Sequence, residues 1–242
     1  LLVAADALGK ARPTEPMLQN SLRFFFAEFE RRKLRKVDEA RAGILTDERL
    51  LLEKFDRNAE RIAEYGAKEI PDRATILIHC HSSTLIGALK RALELGKQPK
   101  VICTETRPRF QGRISAKELA DAGMDVTLIV DSAVKSVMGK VDLVLVGADS
   151  ITSTGDLINK IGTAGIATMP KESDVRLFSC AELYKFDPLT MFGRMTEIEQ
   201  RDPSQGADQQ GLKGVKIINY AFDRTDAKYI TGYLNARGAL SP

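Results

Sequence analysis

The 242 residues carry 36 Lys and Arg against 33 Asp and Glu, a net charge of +3, and 43% of them are hydrophobic. That near-balance, with both signs interleaved along most of the chain, is a poor footprint for nucleic acid, and no apolar run approaches the roughly 18 residues that a membrane span needs. Three widely spaced cysteines (Cys80, Cys103, Cys180) without a C-x-x-C pair indicate neither a disulfide framework nor a zinc ribbon, and they point to a reducing cytoplasm.

The chain opens on Leu1-Leu2-Val3-Ala4-Ala5 with no Met and no basic run, which reads as the middle of a helix whose beginning is missing rather than as a secretory leader. Pro13-Thr14-Glu15-Pro16 breaks that helix. The next starts near Met17 with a proline at its N-terminus, and Leu18, Leu22, Phe25, Phe26 and Phe29 form a stripe at helical spacing. The charged run Glu30-Arg31-Arg32-Lys33-Leu34-Arg35-Lys36 reads as a solvated helix face or a turn. A further helix is expected to start at Thr46-Asp47-Glu48, with Leu50, Leu51, Phe55, Ile62 and Ala63 as its apolar side. Residues 1–70 are therefore assigned to a helical N-terminal domain.

After Pro71 short β-rich runs at 75–78, 101–103, 126–130, 143–146 and 175–179 alternate with helical patterns near 84–95, 116–122, 133–138 and 157–168. Alternation of this kind implies an α/β fold with a parallel sheet and right-handed crossovers. Residues 71–242 are accordingly assigned to a Rossmann-like catalytic domain. The stretch 185–215, containing Asp202-Pro203-Ser204-Gln205-Gly206, is long and irregular, as functional or mobile loops are. Thr225-Asp226 is expected to open a last helix that stops at Gly238.

Ligands of open parallel sheets bind beyond the carboxyl ends of the strands. The first strand is followed by His79-Cys80-His81-Ser82-Ser83-Thr84, the second by Glu105-Thr106-Arg107-Pro108 and Gln111-Gly112-Arg113, the third by Asp131-Ser132. Gly147-Ala148-Asp149-Ser150 follows the fourth, with Gly155-Asp156, Asn159 and Lys160 beyond it, and Cys180, Glu182 and Lys185 follow the fifth. Ser82, Ser83 and Thr84 stand where a helix begins, and backbone N–H groups with hydroxyls there suit a phosphate; simple N-capping is the plainer reading. Arg107, Lys160 and Lys185 at the same rim favour the phosphate.

Cys80 lies between the only two histidines, and a neighbouring imidazole or helix N-terminus can make a thiol ionisable near neutrality. Its plainer reading is a small buried hydrophobe at a strand end. His79, Cys80 and His81 cannot all ligate one metal, because successive strand side chains point to opposite faces. Asp149 follows an apolar strand, where partial desolvation raises a carboxylate's pKa and suits a general base; otherwise it caps a turn. Neither G-x-G-x-x-G nor G-x-x-x-x-G-K-[ST] occurs, which removes the main support for dinucleotide and P-loop readings.

Ile78-His79-Cys80-His81-Ser82-Ser83, Glu105-Thr106-Arg107-Pro108-Arg109-Phe110-Gln111-Gly112-Arg113, Val146-Gly147-Ala148-Asp149-Ser150 and Asn159-Lys160-Ile161-Gly162-Thr163 occur in this order. Together with Asn219-Tyr220-Ala221-Phe222-Asp223, they resemble one superfamily: methylthioribose-1-phosphate isomerase, ribose-1,5-bisphosphate isomerase and the alpha, beta and delta subunits of translation initiation factor 2B. Cys80-His81-Ser82-Ser83 and Leu183-Tyr184-Lys185-Phe186-Asp187 resemble most the ribose-1,5-bisphosphate isomerases of AMP degradation. The methylthioribose-phosphate enzymes usually carry Cys-Asn-(Ala/Thr)-Gly at the first of these. The resemblance implies an aldose–ketose isomerase with Cys80 and Asp149 as its catalytic pair. It also implies Arg12, Ser82, Ser83, Thr84, Asn159, Lys160 and Lys185 as contacts to a sugar bisphosphate, and an Arg-Gly phosphate-contacting segment just upstream of Leu1. It implies no metal or redox cofactor, AMP as an activator, and a cytoplasmic homo-oligomer built from dimers. A non-catalytic regulatory subunit and a methylthioribose-1-phosphate isomerase are the alternatives.

Overall fold

The computed structural model describes residues 2–11, 15–33, 36–173, 175–206 and 214–242. Three helices open the chain, α1 (Leu2–Ala11), α2 (Pro16–Arg32) and α3 (Val37–Glu69). Pro16 stands in the first turn of α2, where its missing N–H leaves no bond unmade. Lys33, in the left-handed region at φ 51°, ends that helix. The charged run 30–36, of which 34 and 35 lie outside the described residues, is not wholly solvated: Arg32 pairs with Asp47, which is only 2% exposed, and so joins α2 to α3. The helix expected to start at Thr46 begins instead at Val37. No proline interrupts 37–69, and the Thr46 hydroxyl donates back to the Ala42 carbonyl at 2.9 Å rather than capping a new helix. Among the described residues no helix is long and apolar enough to cross a membrane.

Beyond Pro71 the order is β1 (Thr75–His79), α4 (Ser83–Glu94), β2 (Lys100–Thr104), α5 (Gln111–Asp121), β3 (Asp125–Ile129), α6 (Val134–Val137), β4 (Leu143–Val146), β5 (Ser150–Ile151) and β6 (Leu157–Lys160). Then follow α7 (Thr163–Ser173), β7 (Arg176–Cys180), α8 (Pro203–Gly206), β8 (Phe222–Thr225), β9 (Gly232–Asn235) and β10 (Gly238–Leu240). The five strands expected from sequence lie side by side as β7-β4-β1-β2-β3, all parallel. β9 joins parallel outside β7, and β10 closes that edge antiparallel.

Strand side chains alternate between faces. Ile76, Ile78, Leu143 and Leu145 therefore pack with Ile62 and Ile70 at the end of α3 and with Leu85 and Leu89 of α4. Leu77, Val144 and Val146 pack on the opposite face with Val134, Met138 and Ile166. Cys103 and Cys180 lie within the first of these cores, and burial pushes both thiols up to about 12.

One expected helix begins late and another is absent: of the stretch 157–168, residues from Thr163 on belong to α7. Residues 157–160 form β6, the return arm of a hairpin with β5 that also pairs antiparallel with β8. The turn at Gly155, φ 78°, takes a backbone region open to glycine and so folds the chain back before any helix can start. The C-terminal segment after Thr225 forms β9 and β10, because Ile230, Thr231 and Tyr233 favour extended backbone and the edge of β7 is there for Gly232–Leu234 to join.

One buried side chain ties the strand ends together. His79, the last residue of β1, is 2% exposed. Its Nδ1 lies 2.7 Å from Thr104 Oγ1, and its Nε2 lies 2.8 Å from the Ile161 carbonyl. A carbonyl can only accept, so Nε2 carries the proton and Nδ1 accepts from the Thr104 hydroxyl. Thr104 Oγ1 is 3.3 Å from Thr106 Oγ1, which accepts the Cys80 amide at 2.9 Å. Donation thus runs one way, from Cys80 through both threonines and the imidazole to Ile161. Burial, the largest influence, holds the His79 pKa below its ordinary value.

That depression has a pH signature. The unfolded chain protonates this imidazole near about pH 6.5 while the folded chain does not. The stability it contributes is therefore full above that pH and is lost as pH falls through the lowered folded value. His79→Asn is expected to melt at a lower temperature near about pH 8, and to lose Tm more gently than the parent between about pH 6.5 and 5, in calorimetry at stepped pH. Equal slopes for the two proteins would show that the imidazole takes up its proton in the fold as readily as in the unfolded chain.

Candidate active site

β1 and β4 are hydrogen-bonded neighbours, yet the chain leaves them in opposite directions, from β1 through β2 to β3 and from β4 to β7. Such a reversal opens a crevice at the carboxyl ends of the strands. A cleft of ≈510 Å³ lies there. Cys80, Asp149, Ser82, Ser83, Thr84, Asn159, Lys160 and Lys185, all expected from sequence, line it together. Arg12 lies outside the described residues.

Cys80 follows β1 with φ 68°, a left-handed conformation that a non-glycine residue adopts only under constraint. The constraint comes from hydrogen bonds. Its amide donates to Thr106 Oγ1, and its carbonyl accepts the Ser115 hydroxyl at 3.0 Å. Thr106 is itself left-handed at φ 61°, and the Asp131 carboxylate fixes it by accepting the amides of Thr106 at 2.8 Å and Arg107 at 2.7 Å. Gly112 closes this knot: a Cβ there would stand 1.7 Å from the Thr104 carbonyl oxygen.

The flanking histidines do not activate the thiol as the sequence suggested. The His79 ring points to Thr104 and Ile161, and the His81 ring lies 3.1 Å from Ser115 Oγ. Burial is the largest influence on Cys80 and pushes its pKa up, outweighing the His81 amide and the Lys160 ammonium, which pull it down. The side chain is a thiol at neutral pH, suited to giving a proton rather than to attacking as a thiolate. Asp149, half-buried beyond β4, lines the same cleft and is near enough to act on that thiol by its charge.

The anion-compatible groups surround this pair. Ser82 caps α4, although its Oγ is 3.5 Å from the Leu85 amide, the outer limit of a hydrogen bond. Ser83 and Thr84 supply first-turn amides that have no intrahelical acceptor. Asn159 Nδ2 donates to Thr163 Oγ1 at 3.1 Å, the Lys160 ammonium stands 5.0 Å from the centroid of the Phe222 ring, and Lys185 donates to the Ala148 carbonyl. Asp223 braces the loop after β6, accepting the amides of Gly162 at 2.7 Å and Ala164 at 3.1 Å. Burial, outweighing those bonds, pushes its pKa up to about 6.

Other lining residues were not assigned from sequence: Arg109, Gln111, Glu182, Arg201, Gln205 and Asn219. Gln111 Oε1 is buried and has no hydrogen-bond partner among the described residues. Arg201 and Gln205 come from the long irregular stretch, whose length was the only signal for them. Arg201 is held by Glu199 at 2.9 Å and by its amide on the Asn219 carbonyl at 2.8 Å. The cleft thus combines a proton donor, a carboxylate and cationic rims, an arrangement for acid–base chemistry on an anionic, hydroxyl-bearing small molecule.

Comparison with known proteins agrees with this chemistry. The chain is 42% identical over 240 residues to a ribose 1,5-bisphosphate isomerase of Archaeoglobus fulgidus, spanning 99% of this chain and 75% of that one. It is 43% identical over 242 residues to the Methanocaldococcus jannaschii protein of the same name, spanning 99% and 76%. A crystal structure of the Pyrococcus horikoshii OT3 translation initiation factor eIF-2B superposes with a TM-score of 0.82 at 29% identity, covering 98% of this chain and 82% of that one. The family model described as the initiation factor 2 subunit family matches residues 1–242. On fold, motifs and full-length match alike, the chain belongs to the initiation factor 2 subunit family.

Proposed function

We propose that this protein is an isomerase that converts ribose 1,5-bisphosphate to ribulose 1,5-bisphosphate in AMP and nucleoside degradation. The observation that carries the reading is the thiol kept protonated beside a carboxylate in one cation-rimmed cleft. Relatives more than 40% identical along the chain bear the name of this activity. The same reading expects a cytoplasmic homo-oligomer built from dimers, with AMP as its activator.

The anomeric oxygen of the substrate is esterified, so the ring cannot open as a free aldose does. Cys80 gives its proton to the ring oxygen as the bond from C1 to that oxygen breaks. A hydride moves from C2 to C1, and Asp149 takes the C2 hydroxyl proton as the C2 carbonyl forms. Return of that proton from Asp149 to the Cys80 sulfur restores both groups, and substrate and product have the same composition. One phosphate is held at the start of α4 by Ser82, Ser83 and Thr84, where amides and the helix dipole favour an anion. Lys160 and Lys185, with Asn159, hold the other, and Arg12 adds a further contact. Two fixed ends keep the opened chain aligned, which lowers the entropic part of the barrier.

A regulatory subunit with the same fold would need neither acid nor base. Assay of the whole chain with ribose 1,5-bisphosphate, with and without AMP, separates the two, and product formation is expected. Cys80→Ser should lower kcat by about 10²-fold or more with KM nearly unchanged, because a hydroxyl is a far weaker acid. Lys185→Ala should chiefly raise KM. Indistinguishable kinetics for these two variants would dissolve the assigned roles.

Asp149→Asn should lower kcat by about 10²-fold while leaving the melting temperature intact, since the amide keeps the shape but cannot accept the proton. An active Asn variant would leave Asp149 as a turn cap and favour the regulatory reading. The raised thiol pKa sets the basic limb of the profile: activity should persist above about pH 8.5, where an ordinary thiol ionises, and fall only as Cys80 itself loses its proton. A limb centred below that value would show that burial does not govern this thiol.

A further inference from the structure

We infer that a second cleft, on the other side of Glu182 from the catalytic one, binds a small anion of the phosphate class. Glu182 lines both clefts, and no other residue of the second takes part in the isomerase chemistry proposed above. The inference stands independently of that chemistry. The second cleft has a volume of ≈550 Å³ and lies between α2, α3, the loop after β7 and the turn between β9 and β10. Small-molecule sites run from roughly 300 to 1,000 Å³, so the space suits a small ligand rather than a flat protein surface.

Its charge is one-sided. Arg23, Lys54, Arg61 and Arg237 line it against the single carboxylate of Glu182. Among the described residues none of the four cations belongs to an ion pair, although their neighbours on the same helices do. Arg31 pairs with Glu28, Arg32 with Asp47 and Arg57 with Glu53. Lys54, Asn58 and Arg61 recur at helical spacing and share one face of α3, whereas Arg57, on the flank of that face, does not line the cleft. Like charges gathered in a concavity repel one another and focus a positive potential that an entering anion relieves.

Two of the cations, Lys54 and Arg23, are also held in place. The Lys54 ammonium lies 3.2 Å from the Tyr184 hydroxyl, and 5.0 and 5.9 Å from the ring centroids of Tyr184 and Phe24. Arg23 Nη1 donates to Asn20 Oδ1 at 3.0 Å, and Asn20 Nδ2 is anchored on the carbonyls of Tyr184 at 2.7 Å and Phe186 at 2.8 Å. Pinning of this kind reduces the ordering that binding must impose. Glu182 offsets only part of this field: its charge acts on Lys54, its Oε1 accepts from Asn58 Nδ2 at 3.0 Å, and it is one carboxylate against four cations. Guanidinium forks with an ammonium suit phosphate oxygens better than they suit a monovalent halide.

Titration calorimetry of the whole chain with inorganic pyrophosphate at constant ionic strength tests this. Two binding events are expected, one in each cleft. The double variant Arg61→Gln, Arg237→Gln should weaken one event by about tenfold or more and spare the other. Lys160→Gln should do the converse, and Arg41→Gln, on the same helix but about 20 Å along it from Lys54, should change neither. All the side chains altered at the second cleft are exposed, so the fold is expected to survive, as circular dichroism would verify. A single event that Lys160→Gln abolishes would overturn the second site and leave the catalytic reading untouched. Two events unaffected by the double variant would overturn it as well.

Discussion

The neutral imidazole of His79 joins three segments that the chain itself keeps far apart: the end of β1, the end of β2 and the loop between β6 and α7. It can do so only as the tautomer with its proton on Nε2, since one side faces a carbonyl and the other receives a hydroxyl. Through Thr104 and Thr106 the same ring fixes the direction of the Cys80 amide, and through Ile161 it fixes the residue after Lys160. Asp223 braces that loop from its far side. Opposite walls of the cleft are thereby set by one buried ring. A charged imidazole would turn Nδ1 into a donor, and the Thr104 hydroxyl would have to turn its own proton away to accept it.

The electrostatics of the site follow from burial more than from neighbours. Two histidines beside a cysteine suggest an activated thiolate, yet both rings are occupied elsewhere and desolvation leaves the sulfur protonated. Positive charge instead collects at the rim, on Lys160 and Lys185, where it faces solvent and incoming ligand rather than the sulfur alone. Acid, carboxylate and cations thus keep separate tasks within a few residues of three strand ends.

Much of this was legible in the chain. Five apolar runs marked the five central strands, and the rule that ligands gather beyond their carboxyl ends brought Cys80, Asp149, Asn159, Lys160 and Lys185 to one edge before any geometry was known. The failures share a cause. Residues 157–160 and 229–235 have apolar spacings compatible with helix or strand, and the choice between them was made by tertiary partners, β5 with β8 in one case and the edge of β7 in the other. Thr46 looked like a cap because it precedes two acids, but capping requires a chain that has already left the helix, and α3 is continuous there. Gln111 and Glu182 stand beyond strand ends in the sequence but carry no role there, whereas Arg201 and Gln205 come from a long loop, which leaves no periodic trace.

The left-handed backbone at Cys80 bears on how such a chain drifts over evolutionary time. A side chain in that conformation costs about 1 to 2 kcal/mol relative to glycine, which alone adopts it freely. The sulfur faces an open cleft rather than the packed core, so its removal would leave no sealed void behind. Glycine at this position is therefore expected to make the fold more stable. A lineage with no use for the thiol would be under no restraint against that exchange and would gain tolerance to other destabilising changes by making it. The folding of the chain alone gives no reason to keep cysteine at this strained position; the proton-donor role proposed for it does.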